Sequence, residues 1–240
     1  MHPVLVTVGP FTVYTYGALL VAAFLAATGL SRRAARELPP AQRAISSDEL
    51  VDFTCWTLLG GLIGGRLWYV AANRDFFMRD PLELIALWHG GLVFYGGLLG
   101  GLAAGGLYLR SRRLNFLRVM DQFIPFGVLG HAIGRIGCWF NGCCFGKSPW
   151  LPSQLIESFG LVMLFVLLRG LQRPSVLRHP GRLFGLYLAG YAALRFGVEY
   201  TRGDNAPAAM GLTVPQLVSV ALFLAGIALA LRRAPSHAHV

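Results

Sequence analysis

The chain has 240 residues, of which 55% are hydrophobic and 13% charged, and its mean hydropathy is +0.57. A water-soluble domain of this length could not cover so much apolar surface, so the composition excludes an ordinary globular protein and favours the bilayer as solvent. The formal net charge of +10 would suit a nucleic-acid partner, but the basic residues follow a membrane topology pattern instead, and no nucleic-acid binding is predicted.

Seven apolar stretches predict seven transmembrane helices. Each is close to the length of about 20 residues that crosses about 30 Å of hydrocarbon. The connections between them are short, so the predicted fold is an all-α, polytopic membrane protein with a single integral membrane domain over residues 1–240. The stretches cover residues 13–30, 51–70, 90–109, 119–140, 155–171, 183–200 and 212–231.

The basic residues alternate between dense and sparse connections. Four dense clusters follow the first, third, fifth and seventh stretches; they are Arg32, Arg33, Arg36, Arg43, Arg110, Arg112, Arg113, Arg118, Arg169, Arg173, Arg178, Arg182, Arg232 and Arg233. The alternate connections hold only Arg74, Arg79, Lys147 and Arg202. Because Lys and Arg concentrate on the cytoplasmic side, we expect the N-terminus outside and the C-terminus in the cytoplasm.

The fourth stretch leads into HAIGRIGCWFNGCCFG, residues 131–146. His131, Arg135 and Cys138 are spaced so that all three share one helix face. An arginine within the bilayer costs at least a few kcal/mol unless a polar partner receives it, so Arg135 is a candidate functional residue. The alternatives are an arginine satisfied by backbone carbonyls and a histidine that only packs in the core.

The sixth stretch ends in RFGVEYTR, where Arg195 and Glu199 are four residues apart and Arg202 follows one turn later. A structural ion pair explains Arg195 and Glu199 almost as well as function does. Two intramembrane arginines together nevertheless favour a site for a phosphate or carboxylate, which guanidinium groups bind in a bidentate manner.

Glycines form two surfaces in the second and third stretches. Helix packing explains most of them, because small residues let membrane helices approach closely. A cavity for a lipid headgroup is the alternative. Tyr95 lies between glycine pairs in GGLVFYGG, and Tyr16 lies in the first stretch, where it could offer a hydroxyl or simply pack.

The four cysteines are too few for a disulfide framework. They are Cys55, Cys138, Cys143 and Cys144. Their spacing matches no standard zinc pattern, and two adjacent cysteines are awkward ligands for one tetrahedral ion. We therefore expect no metal and no cofactor.

Several segments in order along the chain resemble the bacterial prolipoprotein diacylglyceryl transferase family. They are YGALL, GGRLWYV, GGLVFYGGLLGG, GRIG with NG, PSQLIE, GYAALRFGVEYTRGD and TVPQLVS. The resemblance implies a multi-pass enzyme of the bacterial inner membrane that moves diacylglycerol from phosphatidylglycerol to the lipobox cysteine of a prolipoprotein and releases glycerol phosphate. Its partners would be phosphatidylglycerol, the prolipoprotein signal peptide and membrane lipids, and we expect a monomer.

The resemblance also assigns site residues. Arg135 and Arg195 would hold the lipid phosphate. The residues that would line the substrate site are Tyr16, Arg66, Asn141, Gly142, Gly146, Glu199 and Arg202.

This chain departs from the family pattern at three residues and one loop. Tyr95 stands where the family has a histidine, Cys138 where it has an asparagine and Cys143 where it has a glutamate, and the connection over residues 143–152 is short. We therefore expect His131, or His89, to accept the thiol proton, Tyr95 to donate a hydrogen bond, and the cysteines to be inert fillers. Two alternative functions are a related transferase with a different or smaller acceptor, and a non-catalytic lipid-binding or transport protein.

Overall fold

The structure, a computed structural model, describes residues 2–9, 11–86, 90–148, 150 and 152–232. His89 and Arg233, both used in the sequence argument, lie outside these residues. The described helices are α1 (Thr15–Glu37), α2 (Ser47–Ala72), α3 (Arg74–Arg79), α4 (Phe94–Ser111), α5 (Phe116–Asn141), α6 (Ser153–Leu171), α7 (Pro174–Leu177), α8 (Arg182–Glu199) and α9 (Val214–Leu231). Two antiparallel hairpins pair β1 (Val4–Val8) with β2 (Phe11–Tyr14) and β3 (Pro207–Ala209) with β4 (Leu212–Thr213).

The helical prediction is confirmed, since a long helix occupies each of the seven apolar stretches. Among the described residues, four of these helices are long and apolar enough to cross a membrane by length and composition: α1, α5, α6 and α9. Glycines in α4 and charged residues in α2 and α8 lower the hydropathy of the other three. Large apolar side chains lie exposed along these helices, including Leu25, Ile63, Leu107 and Leu224. Such exposure suits lipid as the surrounding solvent.

The two hairpins were not predicted. Each is short, and a short apolar run does not distinguish a strand from the start of a helix.

The chain forms two compact units, Ala44–Phe116 and Met1–Arg43 with Leu117–Val240. The predicted single domain over residues 1–240 stays a prediction. The smaller unit is built on α2 and α4, and it confirms that the two glycine surfaces pack helices. A side chain added at Gly100 would place its Cβ 2.9 Å from the Gly64 Cα, and one added at Gly64 would lie 2.8 Å from the Gly100 Cα. Only glycine permits this approach of the two backbones.

The larger unit has its apolar core between α5, α6 and α8. The core residues, all buried, are Val128, Ala132, Leu161, Leu164, Leu168 and Leu183. Helix α9 packs on α8 through Gly185 and Gly226, where an added Cβ would lie 2.6 Å from the backbone nitrogens of Ala230 and Ala189 respectively.

A buried carboxylate fixes the start of α8 against α5. Asp121 of α5 accepts hydrogen bonds from the backbone nitrogens of Gly181, at 2.6 Å, and Phe184, at 2.8 Å. These are N–H groups that the first turn of a helix leaves unpaired. The cap therefore sets the position of α8 and, at its far end, of Arg195 and Glu199.

Candidate active site

Buried charged side chains from α5, α6 and α8 form two ion pairs in the larger unit. Arg135 of α5 is 9% exposed and Glu157 of α6 only 2%, and Arg135 Nη2 lies 2.9 Å from Glu157 Oε2. On α8, Arg195 Nη1 lies 2.7 Å from Glu199 Oε2. A buried cation without a counter-charge costs several kcal/mol, so the two carboxylates make the arginines possible at this depth.

Arg135 retains hydrogen-bonding capacity beyond its ion pair. Its Nη1 approaches the Cys138 sulfur at 3.6 Å. The contact of Nη2 with Glu157 is close but not aligned as a hydrogen bond, and Nε has no hydrogen-bond partner among the described residues. Gln154 Oε1, also buried, likewise has none there. Buried donors and acceptors of this kind are normally satisfied, so these atoms are available to a water or to a polar ligand.

Glu199 is an anchor between α8 and α9. Its Oε1 accepts hydrogen bonds from Asn205 Nδ2 and Thr213 Oγ1, both at 2.7 Å. Its Oε2 lies close to Arg195 and, at 3.8 Å, to Arg202 Nε. Since both carboxylate oxygens are engaged within the protein, Glu199 holds the arginines in place.

Arg202 is locked by Asp204. Its Nε and Nη2 donate to the two Asp204 oxygens at 2.9 and 2.6 Å, a bidentate pair. Burial by itself lowers the pKa of Arg202, but the hydrogen bonds of Asp204 and the charge of Cys144 raise it above its ordinary value. The guanidinium therefore remains charged at any working pH.

The loop after α5 is held from two sides. The Cys144 carbonyl accepts from Ser153 Oγ and the Cys143 carbonyl from Gln154 Nε2, each at 2.8 Å. Further along, Gly146 pairs with Arg202 as an isolated β-bridge. Gly142, with φ of 74°, begins the turn, in the left-handed region that glycine adopts without strain. The predicted residues Gly142 and Gly146 thus shape the loop beside the arginines.

This loop brings thiols to the arginines. The sulfurs of Cys138, Cys143 and Cys144 all lie within 4.8 Å of one another. A hydrogen bond from the Cys138 thiol, together with the hydrogen bond and charge of Arg135 and the charge of Arg202, lowers the pKa of the Cys144 thiol below its ordinary value, against the opposing effect of burial.

Two side-chain rings, those of His131 and Tyr191, lie near the arginines. The His131 ring packs on Tyr191 with centroids 5.2 Å apart, and the Tyr191 hydroxyl makes a long contact of 3.5 Å with Glu157 Oε1. Both rings are within electrostatic range of Arg135 and Arg195.

Tyr16 of α1 packs over Gly137, where a Cβ would lie 3.1 Å from the Tyr16 ring. Asn141 is exposed at the last position of α5. The predicted roles of Tyr16, Asn141 and His131 stay predictions.

Two predicted site residues belong to the smaller unit. Arg66, 7% exposed, donates to the backbone carbonyls of Glu83, Leu84, Ala86, Gly90 and Gly91. Its guanidinium nitrogens are all engaged, which supports an anchoring role for the chain before α4. Tyr95 is 61% exposed, and its ring contacts Phe94 edge-on. The predicted contacts of both residues with substrate stay untested.

Glu157, Gln154 and Asn205 are among the polar partners of the site that sequence reasoning missed. Glu157 lies in an apolar helix, and an intramembrane carboxylate is a functional candidate by default, so it could have been found. Gln154 stands in the same PSQLIE segment. The role of Asn205 could not be predicted from the sequence, because only the fold brings the loop after α8 back to Glu199.

Comparison with known proteins shows the family to which the chain belongs. Residues 3–232 match the family model described as prolipoprotein diacylglyceryl transferase. A phosphatidylglycerol–prolipoprotein diacylglyceryl transferase of Rhodospirillum rubrum is 38% identical, across 95% of this chain and 90% of its own. Proteins with the same description from Cupriavidus necator and Gluconobacter oxydans are 34% and 33% identical, across 97% and 99% of this chain and 94% and 96% of theirs. This chain belongs to the prolipoprotein diacylglyceryl transferase family.

Proposed function

We propose that the protein transfers a diacylglyceryl group from phosphatidylglycerol to the lipobox cysteine thiol of a prolipoprotein. The relatives are described as enzymes of this reaction, and they match almost the whole chain. The observation that carries the proposal is the buried group of Arg135, Arg195 and their carboxylates, which offers guanidinium groups to an anionic lipid inside a membrane protein.

The proposed reaction is a displacement at the glycerol C3 of the lipid. The substrate thiolate forms a carbon–sulfur bond, the carbon–oxygen bond to the phosphate breaks, and glycerol phosphate leaves with the electron pair. Negative charge therefore grows on the departing phosphate group. Fixed guanidinium groups in a water-poor site stabilise that charge without having to reorganise during the reaction.

Arg135 is the leading candidate for direct phosphate contact, because its Nε has no hydrogen-bond partner among the described residues. Arg195 would be the second guanidinium to contact the phosphate, and the two arginines together would form a phosphate clamp. Tyr16, Asn141, Gly142 and Gly146 would line the substrate site, and Arg66, Glu199 and Arg202 would support it.

His131 is the proposed proton acceptor, with Tyr95 as a neutral hydrogen-bond donor. A neutral imidazole has a ring nitrogen that can accept a proton, whereas a neutral phenol hydroxyl donates a hydrogen bond. A substrate thiol with a pKa of about 8.5 needs only modest help to ionise.

The proposed enzyme has a defined membrane location and orientation. The chain would act as one integral domain with seven spans in the bacterial inner membrane, as a monomer that receives the prolipoprotein through its signal peptide. The N-terminus would lie outside and the C-terminus in the cytoplasm, as the basic residues indicate.

The test is direct transfer with purified protein. The protein is incubated with phosphatidylglycerol and a lipobox peptide, and mass spectrometry looks for a diacylglyceryl thioether on the peptide cysteine. A peptide with serine at that position is the control and should gain no lipid. Absence of the thioether, with folded protein and intact lipid, would overturn the proposed acceptor.

A further inference from the structure

The cysteines beside the arginines form a cluster that the proposed transfer does not use. Cys138 is buried at the end of α5, and Cys143 and Cys144 are half-buried in the loop that follows. Their sulfurs lie within 4.8 Å of one another, and all three thiols are free. Cys55, the remaining cysteine, is exposed on α2 in the smaller unit.

The backbone explains how two adjacent cysteines face the same point. Gly142 and Cys144 both have left-handed backbone, with φ of 74° and 58°. A left-handed conformation is uncommon at a residue with a side chain, and such conformations cluster at functional sites. This turn removes the objection that adjacent cysteines cannot serve one ion, which was one of the two sequence arguments against a metal.

The loop is held by groups other than its thiols. Ser153 and Gln154 of α6 bind the carbonyls of Cys144 and Cys143, and the backbone nitrogen of Lys147 donates to the Thr201 carbonyl at 2.7 Å. The arrangement of the three sulfurs is therefore supported from outside the cluster. Such pre-organisation lowers the cost of binding a ligand there.

Two cationic side chains lie beside the cluster. Arg135 Nη1 lies 3.6 Å from the Cys138 sulfur, and the Arg202 guanidinium is within electrostatic range of Cys144. Cysteine binds metals in its thiolate form. The two guanidiniums would also offset the negative charge of a complex with three thiolates.

We propose that Cys138, Cys143 and Cys144 form a binding site for one thiophilic metal ion, with Cu(I) preferred over Zn(II). Metal–sulfur bonds of about 2.3 Å place three sulfurs about 4 Å apart around one ion, so the cluster needs only small movements to close on it. Sulfur ligands exclude Mg²⁺ and Ca²⁺, which require oxygen.

The number of ligands decides between the two ions. Within the described part of the chain, the cluster contains three candidate ligand residues. Zn(II) in proteins is almost always four-coordinate and would need a water to complete its shell. Cu(I) is selected by soft sulfur ligands and is satisfied by three of them.

The experiment measures binding directly, without lipid or activity. Full-length protein is purified in detergent, reduced without oxygen, and titrated with Cu(I) against a coloured Cu(I) chelator, and separately with Zn(II) against a coloured zinc chelator. We expect one Cu(I) per chain, tighter binding of Cu(I) than of Zn(II), and a sulfur-to-metal charge-transfer band in the ultraviolet.

The variants separate the cluster from other thiols. Cys55→Ser is the matched control and should bind as the parent does. Cys138→Ser, and Cys144→Ala in the half-buried loop as a second variant with less risk to folding, should each weaken binding by more than the roughly 10–100-fold that loss of a supporting group costs.

Two results would overturn the site. One is stoichiometric Cu(I) binding that persists when all three cluster cysteines are serine. The other is absence of binding by the reduced parent, with a disulfide among the cluster cysteines forming in air, which would make the cluster a redox pair instead.

Discussion

At the scale of single residues, the site pairs its arginines with carboxylates. Glu157, Glu199 and Asp204 each lie against a guanidinium. In the proposed function, an anionic lipid would therefore meet fixed ion pairs with spare donors, and not bare cations, whose burial would cost several kcal/mol each. The orientation of the guanidiniums, which depends on bonds that lysine cannot reproduce, would then stabilise the departing phosphate.

The first prediction tests that orientation. Arg135→Lys and Arg195→Lys keep the charge but lose the planar fork, so we expect turnover to fall by about tenfold or more while the protein still inserts in the membrane. The measurement is the rate of thioether formation. Arg33→Lys is the matched control, because Arg33 is 81% exposed and pairs with the exposed Glu37 on the same helix. Near-normal turnover in either site variant would remove that residue from the clamp.

A second prediction concerns Glu157, the residue that sequence reasoning overlooked. Glu157→Gln leaves Arg135 buried without its counter-charge, so we expect a loss of stability of about 3–5 kcal/mol, seen as a lower melting temperature in detergent. Glu37→Gln breaks a solvent-exposed ion pair and should cost less than about 1 kcal/mol. Equal melting temperatures for the two variants would show that the Arg135–Glu157 pair contributes no net stability.

The third prediction concerns the residue that accepts the proton of the substrate thiol. His131→Ala should slow transfer strongly at neutral pH, and raising the pH towards the substrate thiol's pKa of about 8.5 should partly restore the rate, because more of the thiol then ionises without a base. Tyr95→Phe should cause a smaller loss that does not vary with pH. The measurement is the pH profile of the transfer rate. Unchanged activity of His131→Ala at neutral pH would leave His131 as a ring that packs on Tyr191.

At the scale of elements, glycine decides how closely α2 and α4 approach. Gly60, Gly64 and Gly100 have neighbours inside the distance that a real Cβ requires, whereas Gly106, on the same helix as Gly100, has open space around it. The sequence predicted these surfaces from glycine content alone. It could not show which glycines are in contact, because that depends on the rotation of each helix about its axis.

The fourth prediction uses this contrast. Gly100→Ala must push the two helices apart, and overpacking of this kind costs about 1–3 kcal/mol, so the melting temperature should fall. Gly106→Ala should leave it unchanged or raise it, since alanine favours a helix over glycine by about 1 kcal/mol. A fall of the same size in both variants would mean that helix packing is not the reason for the loss.

The residues of the site show how far sequence could predict it. Arg135 and Arg195 were predictable because each is costly in an apolar helix, and the helices that carry them were evident from hydropathy. The partners were harder, because Asn205 and Thr213 lie in polar segments where such residues are common, and only the fold brings them to Glu199. The cysteines were interpreted as separate fillers because a left-handed residue at Cys144 leaves no trace in the sequence.

For the whole molecule, the distribution of basic residues predicts the side of the membrane on which the site opens. The clusters on the predicted cytoplasmic side hold fourteen of the 21 Lys and Arg, and the opposite connections hold four. The loop after α5 and the loop after α8, which hold Gly146 and Arg202, belong to the sparse side. If the positive-inside rule sets the orientation, the site opens near the outer surface, where an exported prolipoprotein would arrive.

The last prediction tests this orientation with reporters at two fusion points, which should give opposite results. A reporter fused after Val240 should be active only in the cytoplasm, and one fused after Gly203, in the loop that follows α8, should be active only outside. The reason is that one more membrane crossing, by α9, separates the two fusion points. Each fusion point is tested in intact cells with two reporters. One is an enzyme that is active only outside, and the other is a fluorescent protein that is active only inside. Activity of both fusions on the same side would mean that α9 does not cross the membrane. Reversed activities would place the loop of residues 142–148 in the cytoplasm, out of reach of an exported acceptor.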